Sequence, residues 1–306
     1  MPPLAHLAGR NQCAPLIYNS TIRRIGPAVK FLGKYMTKWQ HPGADFIERS
    51  MEKNALITGA TAGIGYEFAE LLASKGHALT LVARDQARLA ERAASLEARH
   101  KTRVITLAKD LSDPASAPDI FRELQRRNFP VSVLVNNAGF GVYGLFAETD
   151  LARELEMLQV NMASLVQLTK LFLKPMLDRH EGRILNVAST ASFQPGPRLS
   201  LYSACKAFVL SFSCALALEL KGSGVTVTAL CPGGTRTEFQ RRAGMEHMSA
   251  LRPMTARSVA EIGYEAMLKG RPVVVAGWKN KLMVAVSRRA PTMWSARVAE
   301  KLNKGR

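Results

Sequence analysis

Tyr202 and Lys206 stand four residues apart in Tyr202-Ser203-Ala204-Cys205-Lys206, within a stretch of helical periodicity. At that spacing a phenol and an ammonium share one helix face. An isolated phenol titrates near pH ~10, too high for efficient proton transfer at neutral pH. A cation held beside it favours the phenolate and lowers that barrier. Taken alone, such a pair is common on helix surfaces. A second group of residues has different chemistry to offer. Thr58-Gly59-Ala60-Thr61-Ala62-Gly63-Ile64-Gly65 follows a short apolar run and leads into a helical pattern. Gly59 permits a tight turn, Gly63 lets the backbone approach a pyrophosphate, and Gly65 lets helix and strand pack closely. The helix N-terminus then presents N–H groups and a partial positive charge to phosphates. Further along, Ala83 stands where a carboxylate would accept hydrogen bonds from two ribose hydroxyls, and Arg84 follows it. A guanidinium matches a 2′-phosphate in shape and charge, and it can also lie flat against adenine. The plainer alternative is a solvated arginine at a helix start, with Asp85 as N-cap.

These groups need a frame to bring them together. From Asn54 onward, short apolar runs alternate with amphipathic stretches, the pattern of a parallel sheet covered by helices. The runs predict strands at 54–58, 78–83, 103–107, 131–136, 183–188, 225–230 and 272–276. Helices are predicted near 64–75, 85–100, 113–127, 150–179, 201–221 and 256–269. Asp113-Pro114 and Thr255 read as helix starts, and Gly76 and Gly222 as stops. The expected fold is α/β, a Rossmann-type doubly wound parallel sheet of about seven strands with helices on both faces. Such sheets bind ligands beyond the carboxyl ends of their strands, and the motifs fall there.

The order T-G-x-x-x-G-x-G, rather than G-x-G-x-x-G, resembles the fingerprint of the short-chain dehydrogenase/reductase family, and other motifs follow in register. Asp110-Leu111 resembles the family's D-[LV] pair, whose carboxylate bonds the adenine amino group. Asn136-Asn137-Ala138-Gly139 matches N-N-A-G, whose small residues lie against the cofactor while the asparagines tie strand ends. Ser189 lies thirteen residues before Tyr202, where the family's substrate-binding serine sits, and Asn161 falls at its structural and proton-relay asparagine. Pro232-Gly233-Gly234-Thr235-Arg236-Thr237 resembles the P-G motif beside the nicotinamide. The resemblance, over about 52–276, implies a catalytic set of Asn161, Ser189, Tyr202 and Lys206. It implies cofactor contacts from Gly59, Thr61, Gly63, Ile64, Gly65, Arg84, Asp110, Leu111, Asn137, Ala138, Gly139, Tyr202, Lys206, Pro232, Gly233, Thr235 and Thr237. The implied activity is hydride transfer between NADP(H) and a carbonyl or alcohol carbon. Phe140–Phe146 and Phe193–Pro197 are expected to line an apolar or acyl-type pocket, with 238–254 as a lid.

Composition bounds the rest. The net charge of +18 is concentrated at the ends, with seven Lys/Arg against two Asp/Glu in 1–50 and nine against one in 271–306. The chain is therefore divided into a basic extension (1–50), a catalytic domain (51–276) and a basic amphipathic tail (277–306). The extension is expected to be disordered or non-native; the sharper alternative is a basic amphipathic segment at Ile22, Ile25, Val29, Leu32 and Met36, broken by Pro27. In the tail, Trp294, Val298 and Leu302 recur every four residues, predicting contact with another subunit or with the body, or else with anionic lipid. Four scattered cysteines fit a reducing cytoplasm and no metal site. No apolar run reaches the length of a membrane span, and no nucleic-acid module appears. The expected partners are a small-molecule substrate and further copies of the chain. A catalytically silent NADP-binding sensor and a membrane-surface scaffold are the rival readings, and an intact tetrad argues against the sensor.

Overall fold

A computed structural model describes residues 53–244 and 253–304. The basic segment proposed within 1–50 and much of the expected lid lie outside the described residues. The chain opens with β1 (Asn54–Thr58), α1 (Gly63–Ser74), β2 (Ala78–Ala83), α2 (Gln86–His100) and β3 (Val104–Ala108). It continues through α3 (Ser116–Arg126), β4 (Val133–Asn136), α4 (Leu151–Leu158), a π-helical turn (Gln159–Ala163) and α5 (Ser164–Asp178). Then come β5 (Gly182–Val187), a short 3₁₀ turn (Thr190–Phe193), α6 (Ser200–Glu219) and β6 (Val225–Cys231). The last elements are β7 (Thr235–Arg236), α7 (Phe239–Arg242), β8 (Met254–Thr255), α8 (Ala256–Leu268), β9 (Val273–Val275), α9 (Trp278–Ser287) and α10 (Thr292–Asn303).

Seven strands pair in parallel in the order β3-β2-β1-β4-β5-β6-β9, so the order reverses between β1 and β4. The inner strands β1, β2, β4, β5 and β6 are largely buried on both faces because helices cover both, while the edge strands β3 and β9 expose one face. Alternation along β1 shows the division. Ala55 and Ile57 pack into one layer with Phe68 and Leu72 of α1 and Val259 of α8, while Leu56 joins the opposite layer with Ile120 of α3 and Phe172 of α5.

The caps follow sequence logic. The Asp85 carboxylate accepts from the Arg88 N–H at 2.9 Å and Thr255 from the Ser258 N–H at 3.2 Å, while Gly76 and Gly222 take left-handed backbone just after their helices.

Two expectations are corrected. The single helix expected over 150–179 is interrupted at 159–163, where the π-turn gathers around the buried Asn161. The tail is two helices, and α10 turns its small residues inward: Ser295, Ala296, Ala299 and Asn303 are buried, while Trp294, Val298 and Leu302 face outward. The self-docking role expected of that apolar stripe is therefore overturned. Both helices belong to the same compact unit as the sheet. Among the described residues only α6 has the length and apolar character to cross a membrane. It carries the buried Tyr202 and Lys206 and packs along β5 and β6.

Candidate active site

The carboxyl ends of the strands meet at the switch between β1 and β4. Thr58 closes β1, and its hydroxyl accepts the Asn137 and Ala138 N–H groups at 3.0 and 2.9 Å. The Asn137 side-chain amide donates to the Thr58 carbonyl at 2.9 Å, fastening β4 to the glycine turn. The turn fits an anionic phosphate ligand by construction. Gly59 and Gly63 adopt positive φ of 65° and 55°. A Cβ on Gly65 would lie 2.4 Å from the Gly59 carbonyl oxygen, and one on Gly63 would lie 2.9 Å from Thr237 Cγ2. No side chain caps α1 and no acidic residue occupies its first turn, so its leading N–H groups have no anionic competitor there.

Beyond β2, Arg84 is 63% exposed, with a terminal nitrogen 3.8 Å from Asp110 at the end of β3. Asp110 also accepts from the Ser112 N–H at 3.0 Å, and Leu111 is buried behind it. Arg88, one helical turn after Arg84, makes a two-pronged ion pair with Glu238 at 2.7 and 3.1 Å. That pair bridges the β2 tip to the segment that follows Thr237.

Ser189 follows β5 and starts the 3₁₀ turn, its oxygen accepting the Ala191 N–H at 3.1 Å and lying 3.5 Å from the Pro232 carbonyl. Tyr202 and Lys206 come from the first two turns of α6, on one face as their spacing predicts. The Ser189 hydroxyl acts on the Tyr202 phenol in favour of its ionised form. The Lys206 ammonium donates to the Val187 carbonyl at 2.8 Å and sits 5.8 Å from the centre of the Tyr202 ring. Gly139 joins the group. A Cβ there would meet Asn161 Oδ1 at 2.7 Å and Lys206 Nζ at 3.4 Å, so the glycine lets the asparagine and lysine converge. The Asn161 amide holds the Phe140 backbone from both sides, accepting its N–H at 3.1 Å and donating to its carbonyl at 2.8 Å.

Burial pushes the Tyr202 phenol up to about 12, although the Ser189 hydroxyl opposes it. Burial thus opposes the lowering expected from Lys206. Burial also brings the Lys206 ammonium down to about 8. A carbonyl reduction that draws on both protons should have kcat/KM level through neutral pH and falling above about 8, as Lys206 loses its charge. A pH–rate profile checks this, and a rate that climbs through pH 8 would contradict it.

Around Tyr202 lies an apolar cluster of Met157, Leu199, Ala243, Phe140, Val142, Tyr143 and Phe239, with the Phe239 ring centre 5.5 Å from that of Tyr202. Two of the expected pocket residues do not belong to it. Phe193 packs with Leu165, Val209 and Cys231, and Phe146 is exposed beyond the turn at Gly144. Other residues escaped the sequence reading. Ser192 donates to the Lys206 carbonyl at 2.7 Å and receives the Ser189 N–H at 3.3 Å, linking the two catalytic segments. Beneath the site, Asn136 ties β4 to β5 as expected of the asparagine pair, donating to Asn186 and to Thr169, while Asn186, which the sequence reading missed, donates to Ser213. Asn280 of α9 crowds the P-G turn, 2.5 Å from where a Gly233 Cβ would stand.

A glycine-turned parallel sheet with a serine, a tyrosine and a lysine gathered at its switch point defines a dinucleotide-dependent oxidoreductase. Residues 53–247 match the family model described as short chain dehydrogenase, and the chain belongs to that family of oxidoreductases acting on carbonyl and alcohol groups. It is 34% identical over 236 residues to very-long-chain 3-oxoacyl-CoA reductase-B of Danio rerio, covering 75% of each chain. It is 36% identical over 256 residues to sulfoacetaldehyde reductase 2 of Chromohalobacter salexigens, covering 80% of this chain and 98% of that one. A short-chain dehydrogenase from Sphingobium yanoikuyae in complex with NADPH superposes with a TM-score of 0.71 at 32% identity, covering 77% of this chain and 93% of that one.

Proposed function

We propose that this chain is an NADPH-dependent reductase of a carbonyl carrying an apolar or acyl-type substituent. The observation that carries the reading is the buried Tyr202 with the Lys206 ammonium 5.8 Å from its ring centre, packed among Phe140, Val142, Tyr143 and Phe239, with Ser189 acting on the same phenol. When bound, NADPH supplies the hydride. Gly59, Thr61, Gly63, Ile64 and Gly65 would hold its phosphates at the start of α1. Asp110 and Leu111 would contact the adenine end, Asn137, Ala138 and Gly139 would lie along the cofactor, and Pro232, Gly233, Thr235 and Thr237 would border the nicotinamide. Ser189 and Tyr202 donate hydrogen bonds to the substrate oxygen as negative charge develops on it. Tyr202 releases its proton to that oxygen, and Lys206 returns a proton to the phenolate and is itself reprotonated from water; the same ammonium would hold the ribose. Asn161 keeps Phe140 and the adjoining Gly139 in register with both. The relatives' names range from very-long-chain 3-oxoacyl-CoA to sulfoacetaldehyde, and the apolar residues packed around Tyr202 support the acyl class for this chain.

Cofactor choice rests on Ala83 and Arg84. A 2′-phosphate brings roughly two negative charges to the β2 tip. No carboxylate stands at position 83 to repel them, and Arg84 is 63% exposed, 3.8 Å from Asp110. A charge-assisted hydrogen bond there contributes about 1.5–3 kcal/mol, or roughly ten- to a hundredfold in affinity. Replacing Ala83→Asp with Arg84→Ile should weaken NADPH by about that factor and improve NADH. Arg88 blunts the switch only slightly, because Glu238 already holds its guanidinium. Steady-state kinetics with both cofactors tests the assignment. Equal kcat/KM for NADPH and NADH in the unaltered protein would overturn it.

A further inference from the structure

The two C-terminal helices are attached to the body by their small and polar residues. Asn303 donates to the Pro197 carbonyl at 2.8 Å and accepts from the Tyr143 hydroxyl at 2.7 Å, while Ser287 donates to Gln194 at 2.7 Å. Val284, Ser295, Ala296 and Ala299 are buried on the same inward side. That attachment turns the large apolar residues outward. On α9, Trp278, Leu282 and Val286 recur at every fourth position, and on α10 Trp294, Val298 and Leu302 do the same. Trp278 is 71% exposed and Trp294 is 51% exposed. The two stripes meet at the corner between the helices, where Val286, Ala290, Pro291 and Trp294 line one open hollow with Arg289. Exposed contiguous apolar surface of this kind marks a contact face.

Charge selects the occupant. Residues 278–304 carry seven Lys/Arg and a single acid, Glu300, which pairs with Lys304 at 2.7 Å. Lys279 and Lys281 flank the α9 stripe, Arg288 and Arg289 the corner, and Arg297 and Lys301 the α10 stripe, all of them exposed. A second copy seated on this face would set like charge against like. An anionic bilayer surface neutralises the basic residues and takes in the tryptophans and aliphatic side chains. Helices of 10 and 12 residues are too short to span a bilayer, which needs about 20, so they lie along its surface.

We infer that α9 and α10 form a docking surface for an anionic lipid bilayer, with Trp278, Leu282, Val286, Trp294, Val298 and Leu302 entering the interface beneath a ring of Lys and Arg. Because α10 also fastens Tyr143 and Pro197, docking brings the loops that border the Tyr202 cluster next to the lipid surface. The inference is independent of which substrate the site takes.

The test is co-sedimentation of the full chain with vesicles of phosphatidylcholine alone and of phosphatidylcholine mixed with phosphatidylglycerol. The unaltered protein should sediment with the anionic vesicles and much less with the neutral ones. Trp278→Asp with Trp294→Asp, and separately Arg288→Glu with Arg289→Glu, should each lower the partition coefficient by about tenfold or more. Both variants alter exposed positions, so thermal melting and mass in solution should stay as in the unaltered protein. Three results would overturn the inference: no binding to anionic vesicles, binding that both variants retain in full, or a halved mass in the variants. The second would locate lipid binding elsewhere in the chain, and the third would make the face a contact between copies.

Discussion

Tyr202→Phe should leave a folded protein that binds cofactor as before and turns over about 10²–10⁴-fold more slowly. The substitution removes one oxygen from a ring that is buried against Phe239 and Leu199, so the apolar packing survives. What disappears is the phenol proton, whose pKa burial raises to about 12. The loss corresponds to about 3–5 kcal/mol of transition-state stabilisation. It should fall on kcat rather than on cofactor affinity, because the phenol acts where charge develops on the substrate oxygen. Steady-state kinetics beside a cofactor titration separates the two. A variant that keeps most of its kcat would remove Tyr202 from the acid–base role.

Gly65→Ala should be nearly as damaging by another route. The added methyl would stand 2.4 Å from both the Gly59 carbonyl oxygen and the Asn137 amide nitrogen, and the first of these is backbone that cannot swing aside. Relief requires the turn between β1 and α1 to open, which disturbs the hydrogen bond from Asn137 to the Thr58 carbonyl. Overpacking of this kind costs about 1–3 kcal/mol, and here it falls on the turn that cradles the phosphates. The expected result is a lower melting temperature together with cofactor binding weakened by roughly ten- to a hundredfold. Unchanged affinity measured by fluorescence titration would show that the turn does not need this close approach.

The strands were legible in the sequence because β1, β2, β4, β5 and β6 are largely buried on both faces and read as short runs rich in Val, Ile, Leu and Ala. The Tyr202–Lys206 pair was legible because a helix places positions four apart on one face. The interruption at 159–163 was not. The residues there keep a helical pattern, and the distortion comes with a tertiary contact, the capture of the Phe140 backbone by Asn161. The tail was misread for a related reason. A stripe of Trp294, Val298 and Leu302 looks like a buried face, but Ala296, Ala299 and Ser295 allow α10 to approach the body closely and take that place. Phe193 and Phe146 show the limit of reading a pocket from nearby aromatics, since one packs elsewhere and the other faces outward. The links from Ser192 to Lys206 and from Asn186 to Ser213 join residues 14 and 27 positions apart, and no local spacing announces them.

The most direct test of the central claim follows cofactor absorbance while the purified chain is offered a panel of carbonyl compounds, from small aldehydes to 3-oxoacyl thioesters, with NADPH and NADH in parallel and Tyr202→Phe as control. The site described above predicts NADPH oxidation that depends on the carbonyl, favours apolar acyl substrates, runs faster than with NADH and collapses in the control. Turnover that persists in Tyr202→Phe, or binding of NADPH without oxidation by any carbonyl of the panel, would contradict it.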